Sequence, residues 1–365
     1  MFSSDDLSSL RRNTDTGLVE IIDQTLLPHT LQWITLDSVA AYCHAIEVMQ
    51  VRGAPLIGIT AACGLAYAVS LDSSAESIER AAEQLLATRP TAVNLRWALE
   101  QVRSCVDNLA PDERSEAAWN RALAIRADDI DNCSRIGDCG LEQFQQLKAK
   151  DPSGILNVMT HCNAGWLATI QWGTALAPIY KAHAAGMPIH VWVSETRPRN
   201  QGMNLTAWEL QRAGVPCTIV ADNSCGHLMQ SGRVDCVIVG TDRTAANGDV
   251  CNKIGTYLKA LAASANGVPF FVGLPASTVD WRCPDGDHIP IEERSASEVL
   301  EIGGVDSQGE VMNVSLSGSG SAAANPAFDV TPAVLVTKLI TEYGAFAATG
   351  AGMDALRREL PEHLA

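Results

Sequence analysis

The chain of 365 residues is poor in positive charge. Its 26 Lys and Arg stand against 42 Asp and Glu, which gives a formal net charge of −16 at pH 7. A field of this sign repels polyphosphates and anionic lipid surfaces, so we expect neither nucleic acid nor membrane as a partner. A small anionic substrate is still compatible with this charge, because a few local arginines reverse the potential inside a single pocket.

Long apolar runs and paired cysteines are also missing. No eighteen apolar residues run together, and the N-terminal segment has acidic residues ahead of its arginines and no apolar core of a signal peptide. The eleven cysteines are scattered singly from Cys43 to Cys283 without a CxxC pair, as is typical of reduced thiols. With 47% hydrophobic and 19% charged residues, the composition excludes a disordered or fibrous chain and predicts a soluble cytoplasmic protein.

Several local signatures of enzymes are absent as well. The sequence has no P-loop, HExxH, GxSxG or zinc-type Cys/His spacing, so nothing local supports nucleotide hydrolysis, a metalloprotease or a serine hydrolase. Residues 318–323 match the GxGxxA form of a dinucleotide fingerprint, but Asn325 and Pro326 end any helix that would hold the pyrophosphate. We therefore treat this match as chance and predict that the small-residue tract 314–324 is a flexible loop.

From residue 150 onward, short β-branched apolar runs alternate with alanine-rich helical stretches. Continuous apolar strands separated by helices are typical of a parallel sheet that is covered on both faces. The sequence therefore predicts an α/β fold with a C-terminal doubly wound, Rossmann-like parallel sheet. The predicted strands cover residues 155–159, 189–193, 217–221, 236–239 and 269–272.

The first part of the chain predicts a smaller α+β domain over residues 1–125. It has strand-like pieces at 18–22 and 32–36 and helical patterns at 37–49, 56–69 and 75–86. The stretch 112–149 has few strand formers and regular apolar spacing, which predicts a helical connection. We place the domain boundary near residue 125, so that residues 126–365 form the Rossmann-like catalytic domain.

Polar residues follow four consecutive predicted strands, at 160–165, 194–198, 222–223 and 240–249. They include a thiol, carboxylates, arginines and amides. In an open parallel sheet, ligands bind outside the carboxyl ends of the strands. Any single one of these residues is more often a cap or a loop salt bridge, but four such strand ends together favour a binding site.

Cys162 and Asp242 are the candidates at these strand ends for acid and base chemistry. A helix that begins near Ala164 would lower the pKa of the Cys162 thiol, whereas the alternative is a buried structural cysteine. His161 points to the opposite face of the strand, so a Cys–His dyad is disfavoured. Partial desolvation would raise the pKa of Asp242 and suit it to proton transfer; the alternative is an ion pair with Arg243.

Two segments suit a bound anion. Arg52-Gly-Ala-Pro55 directly precedes an apolar helix, where proline fits the first turn and free N–H groups and the arginine fork face a ligand. The segment 247–253 leads into another helix and offers amides and the Lys253 ammonium. Each signal is weak alone, but a phosphorylated substrate would use both.

These segments also carry a resemblance to a known family. The chain resembles methylthioribose-1-phosphate isomerases from about Ile22 to Gly344, and the matching motifs occur in order. They are VRGAPLIG (51–58), TRPTAVNL (88–95), THCNAG (160–165), ETRP (195–198), LTAWEL (205–210), GTDR (240–243), AANGDV (245–250), NKIGTY (252–257) and IPIEER (289–294). The same fold occurs in the regulatory subunits of an initiation-factor exchange factor and in ribose-1,5-bisphosphate isomerases.

The resemblance implies conversion of an aldose 1-phosphate to the ketose 1-phosphate in methionine salvage, by a homodimer without metal or organic cofactor. It assigns Cys162 and Asp242 as the catalytic pair. By match to the family motifs, the residues that bind substrate are Arg52, Gly53, Ala54, Arg89, Gln201, Asn252 and Lys253.

Two alternatives stay open at this point. The substrate is 5-methylthioribose 1-phosphate or another 5-substituted sugar, namely 5-deoxyribose 1-phosphate or ribose 1,5-bisphosphate, because Trp166 and Met203 depart from the family pattern and are expected to reshape the pocket. The second alternative is a catalytically silent regulatory subunit on the same fold. The joint presence of Cys162, Asp242 and the phosphate-site arginines favours the enzyme.

Overall fold

The N-terminal part of the protein combines a small antiparallel sheet with five helices, in a computed structural model that describes residues 8–89, 92–318 and 320–361. The strands and helices predicted here are confirmed, and the sequence analysis missed strand β1 and helix α4. In chain order the elements are β1 (Leu10–Arg12), β2 (Val19–Ile22), β3 (Trp33–Leu36), α1 (Val39–Glu47), α2 (Ala54–Leu71), α3 (Ala75–Thr88), α4 (Val93–Val106) and α5 (Pro111–Gln145).

Helix α2 is the centre of the N-terminal core. Its 18 residues are apolar enough and long enough to cross a membrane, but α1, α3, α4 and α5 all pack against it and bury most of its surface. Pro55 lies in its first turn, as the sequence predicted, and Gly53 is its N-cap. This packing directs the N-terminus of α2, and with it Arg52, toward the second half of the protein.

Helix α5 connects the two halves and confirms the predicted helical connection. Near its start Ala118, Ala122 and Ile125 pack into the N-terminal core, whereas Ile136 and Phe144 pack into the core of the second half. The predicted boundary at residue 125 therefore falls inside one continuous helix, and the division of the chain into domains at that residue stays a prediction.

The second half alternates strands and helices, as predicted. Its elements in chain order are β4 (Leu156–Thr160), α6 (Ala177–Ala184), β5 (Ile189–Ser194), α7 (Ala207–Arg212), β6 (Cys217–Val220), α8 (Cys225–Gln230), β7 (Cys236–Val239), β8 (Arg243–Ala245), β9 (Val250–Lys253), α9 (Thr256–Ala265), β10 (Phe270–Gly273), β11 (Val279–Asp280), α10 (Ser297–Leu300), β12 (Glu301–Val305), β13 (Val311–Ser315), β14 (Phe328–Thr331), β15 (Lys338–Thr341), β16 (Gly344–Phe346) and α11 (Gly350–Glu359).

The main sheet confirms the Rossmann-like prediction. Its order is β16-β15-β10-β7-β4-β5-β6, and every pairing is parallel except that of β15 with β16. Read from β6 to β15, this is the order 3-2-1-4-5-6 of a doubly wound sheet. The order reverses between β4 and β7, and ligands of such sheets bind at that switch point, outside the carboxyl ends of the strands.

A second sheet, of order β11-β8-β9-β14, lies beyond the carboxyl end of β7, and β12 and β13 form a separate hairpin. The loop predicted at 314–324 is wrong at its start, because Val314 and Ser315 belong to β13 and pair with Ile302 and Glu301. Residues 316–318 and 320–324 have no regular structure and are mostly exposed, and residue 319 of this tract lies outside the described residues.

Candidate active site

Cys162 and Asp242 lie at the switch point of the main sheet. Cys162 comes two residues after the end of β4, and Asp242 comes three residues after the end of β7. The two strands are neighbours in the sheet, so the geometry brings the two side chains to one cavity. All nine predicted site residues line this cavity: Arg52, Gly53, Ala54, Arg89, Cys162, Gln201, Asp242, Asn252 and Lys253.

The backbone of Cys162 is held in a left-handed conformation with φ of 63°. Its N–H donates to Oγ1 of Thr196 at 2.8 Å, and its carbonyl accepts from Oγ1 of Thr206 at 2.6 Å. A left-handed backbone is strained for a residue with a side chain and persists only where the surroundings enforce it. The two threonines, which follow β5 and precede α7, supply that constraint.

The helix predicted to begin near Ala164 does not form. The chain makes only a three-residue 3₁₀ turn, Trp166–Ala168, because the N–H groups of Trp166 and Leu167 donate to the carboxylate of Glu209. The expected lowering of the Cys162 pKa is therefore wrong. Burial instead raises the pKa of this thiol to about 11, against the opposing effect of the Lys253 and Arg52 cations, so the thiol is protonated at neutral pH.

His161 lines the same cavity as Cys162, but both of its ring nitrogens lie against other groups. Its Nδ1 lies 3.1 Å from Oγ of Ser194, and its Nε2 lies 2.8 Å from the carbonyl oxygen of Ile254. Burial, reinforced by the ammonium of Lys259, lowers the pKa of His161 to about 3. The imidazole is therefore neutral, and it forms part of the cavity lining next to Cys162.

Asp242 has a carboxyl group whose pKa is raised by burial, in the direction that the sequence predicted. The cations of Lys253 and Arg89 act against this rise, and the nearby carboxylate of Glu292 adds to it. The guanidinium of Arg243 lies 3.8 Å from Asp280. Burial therefore brings the pKa of Asp242 toward neutral pH, where a carboxyl group exchanges protons most effectively.

The lining of the cavity is basic although the whole chain is acidic. Five basic side chains, Arg52, Arg89, Arg199, Lys253 and Arg294, lie along it together with the two acidic residues Asp242 and Glu292. Sequence reasoning missed Arg199 and Arg294. Both lie in or beside motifs that the resemblance uses, since Arg199 follows ETRP directly and Arg294 ends IPIEER.

Three of these arginines share two carboxylates. Arg89 lies 3.5 Å from Glu292, and Arg294 bridges Glu292 at 2.9 Å and Glu298 at 2.7 Å. Arg199 contacts Glu298 at 2.5 Å. Hydrogen bonds from Arg294 and Arg199 outweigh burial and lower the pKa of Glu298 to about 2, so this carboxylate is charged at neutral pH.

Arg52 differs from the arginines of this network. Across residues 8–89, 92–318 and 320–361, no carboxylate oxygen lies within 4.0 Å of its guanidinium nitrogens, and its Nε donates to the carbonyl of Met49 at 3.3 Å. Burial and the charge of Arg199 lower the pKa of Arg52 to about 9. Arg52 is half-buried, and a partly desolvated cation without a carboxylate partner is electrostatically costly, so an anionic ligand would compensate it.

Gly53 brings the start of α2 into contact with the loop that carries Cys162. Its φ is 88°, and a Cβ at this position would overlap the carbonyl oxygen of Ala168. Only glycine fits both requirements. Because the N-cap side chain is absent, the first N–H groups of α2 are left for an anion in the cavity.

Asn252 and Lys253 lie at the end of β9 and line the cavity. The ammonium of Lys253 donates to the carbonyl of Ala327 at 2.8 Å and lies 4.5 Å from the ring centre of Phe328. The side chain of Asn252 donates to Thr256 at 3.0 Å. Gln201, between β5 and α7, is buried, and its Oε1 has no hydrogen-bond partner among the described residues.

Two expectations about the pocket are corrected. Trp166 and Met203 were expected to reshape the space around the 5-substituent of the sugar, but neither is part of the described lining of the cavity. Trp166 is instead buried against Trp208, with ring centres 5.8 Å apart. The larger apolar side chains of the lining are those of Met49, Ile57, Leu205 and Phe328.

Metal ligands are the remaining question at this site. Among the residues that the structure describes, no three His, Cys, Asp or Glu side chains converge in a way that would hold a metal ion. The absence of a required cofactor stays a prediction that calls for a direct test.

Known proteins share this sequence and fold. The initiation factor 2 subunit family matches residues 50–348. A methylthioribose-1-phosphate isomerase of Rhodospirillum rubrum is 57% identical over 94% of this chain and 90% of its own length, and one of Dechloromonas aromatica is 54% identical over 96% of both.

Solved structures give the same result. The crystal structure of 5-methylthioribose 1-phosphate isomerase from Pyrococcus horikoshii superposes with a TM-score of 0.84 at 36% identity and covers 96% of each chain. The delta subunit of translation initiation factor eIF-2B from A. fulgidus gives 0.78 at 36% identity, covering 94% of this chain and 96% of its own. From its sequence and its fold, this chain belongs to the initiation factor 2 subunit family and, within it, to the methylthioribose-1-phosphate isomerases.

Proposed function

We propose that the protein converts 5-methylthioribose 1-phosphate to 5-methylthioribulose 1-phosphate. The observation that carries this proposal is the meeting of Cys162 and Asp242 with five basic side chains in one cavity at the switch point of the sheet. The relatives at 54–57% identity carry the name of this activity. A sugar phosphate needs a cationic end for its phosphate and a proton-exchanging group at its reacting carbons, and this cavity offers both.

The reaction balances without an oxidant or reductant. The phosphate blocks the anomeric oxygen, so the ring cannot open as the ring of a free sugar does. The bond between C1 and the ring oxygen breaks, and one hydrogen moves from C2 to C1. The C2 hydroxyl loses its proton as the ketone forms, and the former ring oxygen on C4 gains one proton. The products are a CH₂ group at C1, a ketone at C2 and a free hydroxyl at C4.

Asp242 is the residue that we assign to proton exchange in this reaction. Its pKa is moved toward neutral pH by burial, whereas that of Cys162 is moved away from it. Both shifts are upward: the pKa of the Asp242 carboxyl moves toward neutral pH, and the Cys162 thiol stays protonated there, so the two groups suit different roles. The neutral thiol of Cys162 donates a hydrogen bond to the oxygen on which negative charge develops, and Asp242 gives and accepts the proton.

The phosphate binds where the N-terminus of α2 meets the basic lining. Arg52 supplies a guanidinium that has no carboxylate partner among the described residues, Gly53 and Ala54 supply the backbone of an uncapped helix start, and Lys253 adds a second cation to the lining. Arg89 adds charge at the same cavity while paired with Glu292. Gln201 and Asn252 are assigned to the sugar hydroxyls because amide groups both donate and accept.

A silent regulatory subunit is the alternative function, and the fold alone does not exclude it. The eIF-2B delta subunit from A. fulgidus is as similar in identity, at 36%, as the isomerase from Pyrococcus horikoshii. What favours the enzyme is the retention of Cys162 and Asp242 at the switch point, each with a pKa displaced by burial.

Turnover of a panel of sugar phosphates by the purified protein tests the proposal. The panel contains 5-methylthioribose 1-phosphate, 5-deoxyribose 1-phosphate and ribose 1,5-bisphosphate. We expect the highest kcat/KM for the methylthio compound. A preference for another member would correct the substrate, and turnover of none, with phosphate binding intact, would support the silent subunit.

The cytoplasmic location, the homodimer and the exclusion of nucleic acid and membrane as partners are proposed with this function. They rest on composition and on the family resemblance. Sedimentation of the purified protein tests the dimer directly.

A further inference from the structure

Glu209, on α7, is a buried carboxylate that the proposed chemistry does not use. Its side chain has no exposure to solvent, and no basic residue pairs with it among the described residues. A fully buried carboxylate is costly unless donors satisfy it. Burial raises the pKa of Glu209 to about 7, while its hydrogen bonds act in the opposite direction. The free-energy cost of burying this carboxylate must therefore be offset by its neighbours.

Four donors converge on this carboxylate. Its Oε1 accepts from Nδ2 of Asn163 at 2.7 Å and from the N–H of Leu167 at 3.2 Å. Its Oε2 accepts from the N–H of Trp166 at 2.8 Å and from the hydroxyl of Tyr180 at 2.9 Å. A carboxylate offers about four acceptor positions, so this one is saturated by donors.

Three of the four donors belong to the loop that immediately follows Cys162. Asn163 also donates to Oγ1 of Thr206 at 3.2 Å, and the same Oγ1 donates to the carbonyl of Cys162. Glu209 thus holds the loop that sets the direction of the Cys162 side chain. The loop also packs closely against this residue, because a Cβ on Gly165 would overlap the Glu209 carboxylate.

The same loop reaches the start of α2. Ala168, which ends the 3₁₀ turn held by Glu209, touches Gly53 so closely that a Cβ there would overlap its carbonyl oxygen. The turn therefore lies between the thiol at one end and the Arg52-Gly53-Ala54 segment at the other. A carboxylate that fixes the turn also fixes the separation of these two parts of the cavity.

We infer that Glu209 is a positioning residue: its carboxylate holds the loop 163–168 and so sets the Cys162 thiol relative to the start of α2. Only the expected effect of Glu209 on turnover rests on the proposed function. The orientation of the thiol is measurable without substrate, which separates this inference from the assignment of the reaction.

The variant Glu209→Gln tests it. Glutamine keeps the shape, but its amide nitrogen cannot accept, so at least one of the four hydrogen bonds is lost; only the Tyr180 hydroxyl among the donors can turn to accept instead. We expect kcat to fall at least 10-fold while KM changes less than 3-fold. We also expect the rate at which iodoacetamide alkylates Cys162 to change at least 5-fold. That rate is read from its peptide by mass spectrometry and normalised to exposed Cys105 in the same digest.

Asp235→Asn is the matched control. Asp235 is also a buried carboxylate that accepts from two backbone N–H groups, those of Lys150 and Asn157, both at 2.7 Å, but it lies at the opposite end of β4. We expect this variant to lose thermal stability while kcat and the alkylation of Cys162 stay at wild-type values. If both variants lose kcat in proportion to their melting temperatures, Glu209 is merely structural and the inference is wrong.

Tyr180→Phe keeps the proposal testable if Glu209→Gln does not fold. It removes one of the four donors and leaves the carboxylate in place. We expect a 2- to 5-fold change in the alkylation rate of Cys162. Unchanged alkylation in Tyr180→Phe, or wild-type kcat and alkylation in Glu209→Gln, overturns the inference. Turnover by neither variant nor wild type, with altered alkylation in the variants, would refute the assigned reaction and leave the positioning role standing.

Discussion

Arg52→Ala is the substitution that most directly separates a phosphate site from a structural salt bridge. The guanidinium of Arg52 has no carboxylate within 4.0 Å among the described residues, so its removal breaks no ion pair there. A charge-assisted hydrogen bond contributes about 1.5–3 kcal/mol, which corresponds to roughly a 10- to 150-fold loss of phosphate affinity. The melting temperature of the free protein should not fall, because the variant also loses a half-buried charge that burial disfavours.

The effect on ligand-induced stability follows from mass action. At a phosphate concentration of 100 times its Kd, binding stabilises the wild type by about 2.7 kcal/mol. If the Kd of the variant is 100-fold higher, the same concentration stabilises it by only about 0.4 kcal/mol. Product and inorganic phosphate should lose affinity in parallel with substrate, since all three present the same anion.

Calorimetric titration of phosphate, with melting curves at matched concentrations, measures both quantities. Arg89→Ala should lose phosphate affinity and stability together, because it also breaks the 3.5 Å ion pair with Glu292. Arg103→Ala, which removes a half-exposed arginine paired with Glu79, controls for the loss of one positive charge. Unchanged phosphate affinity in Arg52→Ala with a lowered melting temperature would refute the reasoning.

Three further predictions concern the chemistry. Cys162→Ser and Asp242→Asn should each lower kcat by about 10²–10⁴ with KM little changed, in steady-state assays with folding checked by circular dichroism; near-wild-type kcat in either would remove its assignment. Because burial raises the pKa of Cys162 to about 11, its alkylation should accelerate about tenfold per pH unit up to pH 10, as followed by peptide mass spectrometry, and a plateau near pH 8 would contradict this. Activity should survive exhaustive dialysis against EDTA, and loss that one divalent ion restores would show a metal requirement.

Five of the seven strands of the main sheet were predictable because each contains a short run of apolar or β-branched residues, although the middle of the edge strand β6 is exposed. Strands β15 and β16 were not predicted. Each of the five predicted strands lies within a residue of its position in the structure. Their carboxyl ends then located Cys162 and Asp242 without further information. An apolar run within the strand itself marks it in the sequence, which is why this part of the fold could be predicted.

The second sheet and the loop after Cys162 were not predictable in this way. Strands β8 and β9 are short and carry polar residues such as Arg243 and Asn252, so no apolar run marks them. The segment after Ala164 has helical composition, but its N–H groups are taken by Glu209, which is 43 residues away from Trp166. Partners so distant in sequence leave no local signal.

The same limit explains which site residues were missed. Arg199 and Arg294 reach the cavity through their pairing with Glu298, and no spacing in the sequence connects them. The position of Arg52 in the cavity was predictable because it follows from the helix start that its near neighbours Gly53 and Pro55 mark in the sequence.

Helix α5 has a consequence for how the protein unfolds. Chains longer than about 250–300 residues usually divide into parts that can melt separately. Here a single helix of 35 residues, about 52 Å long at 1.5 Å per residue, contributes apolar side chains to both cores. Unfolding of either core removes packing contacts from this helix and so destabilises the other core. A species with only one half folded therefore has little free energy of stabilisation. The two halves are therefore expected to denature in one cooperative transition, with the helix as the element that couples them.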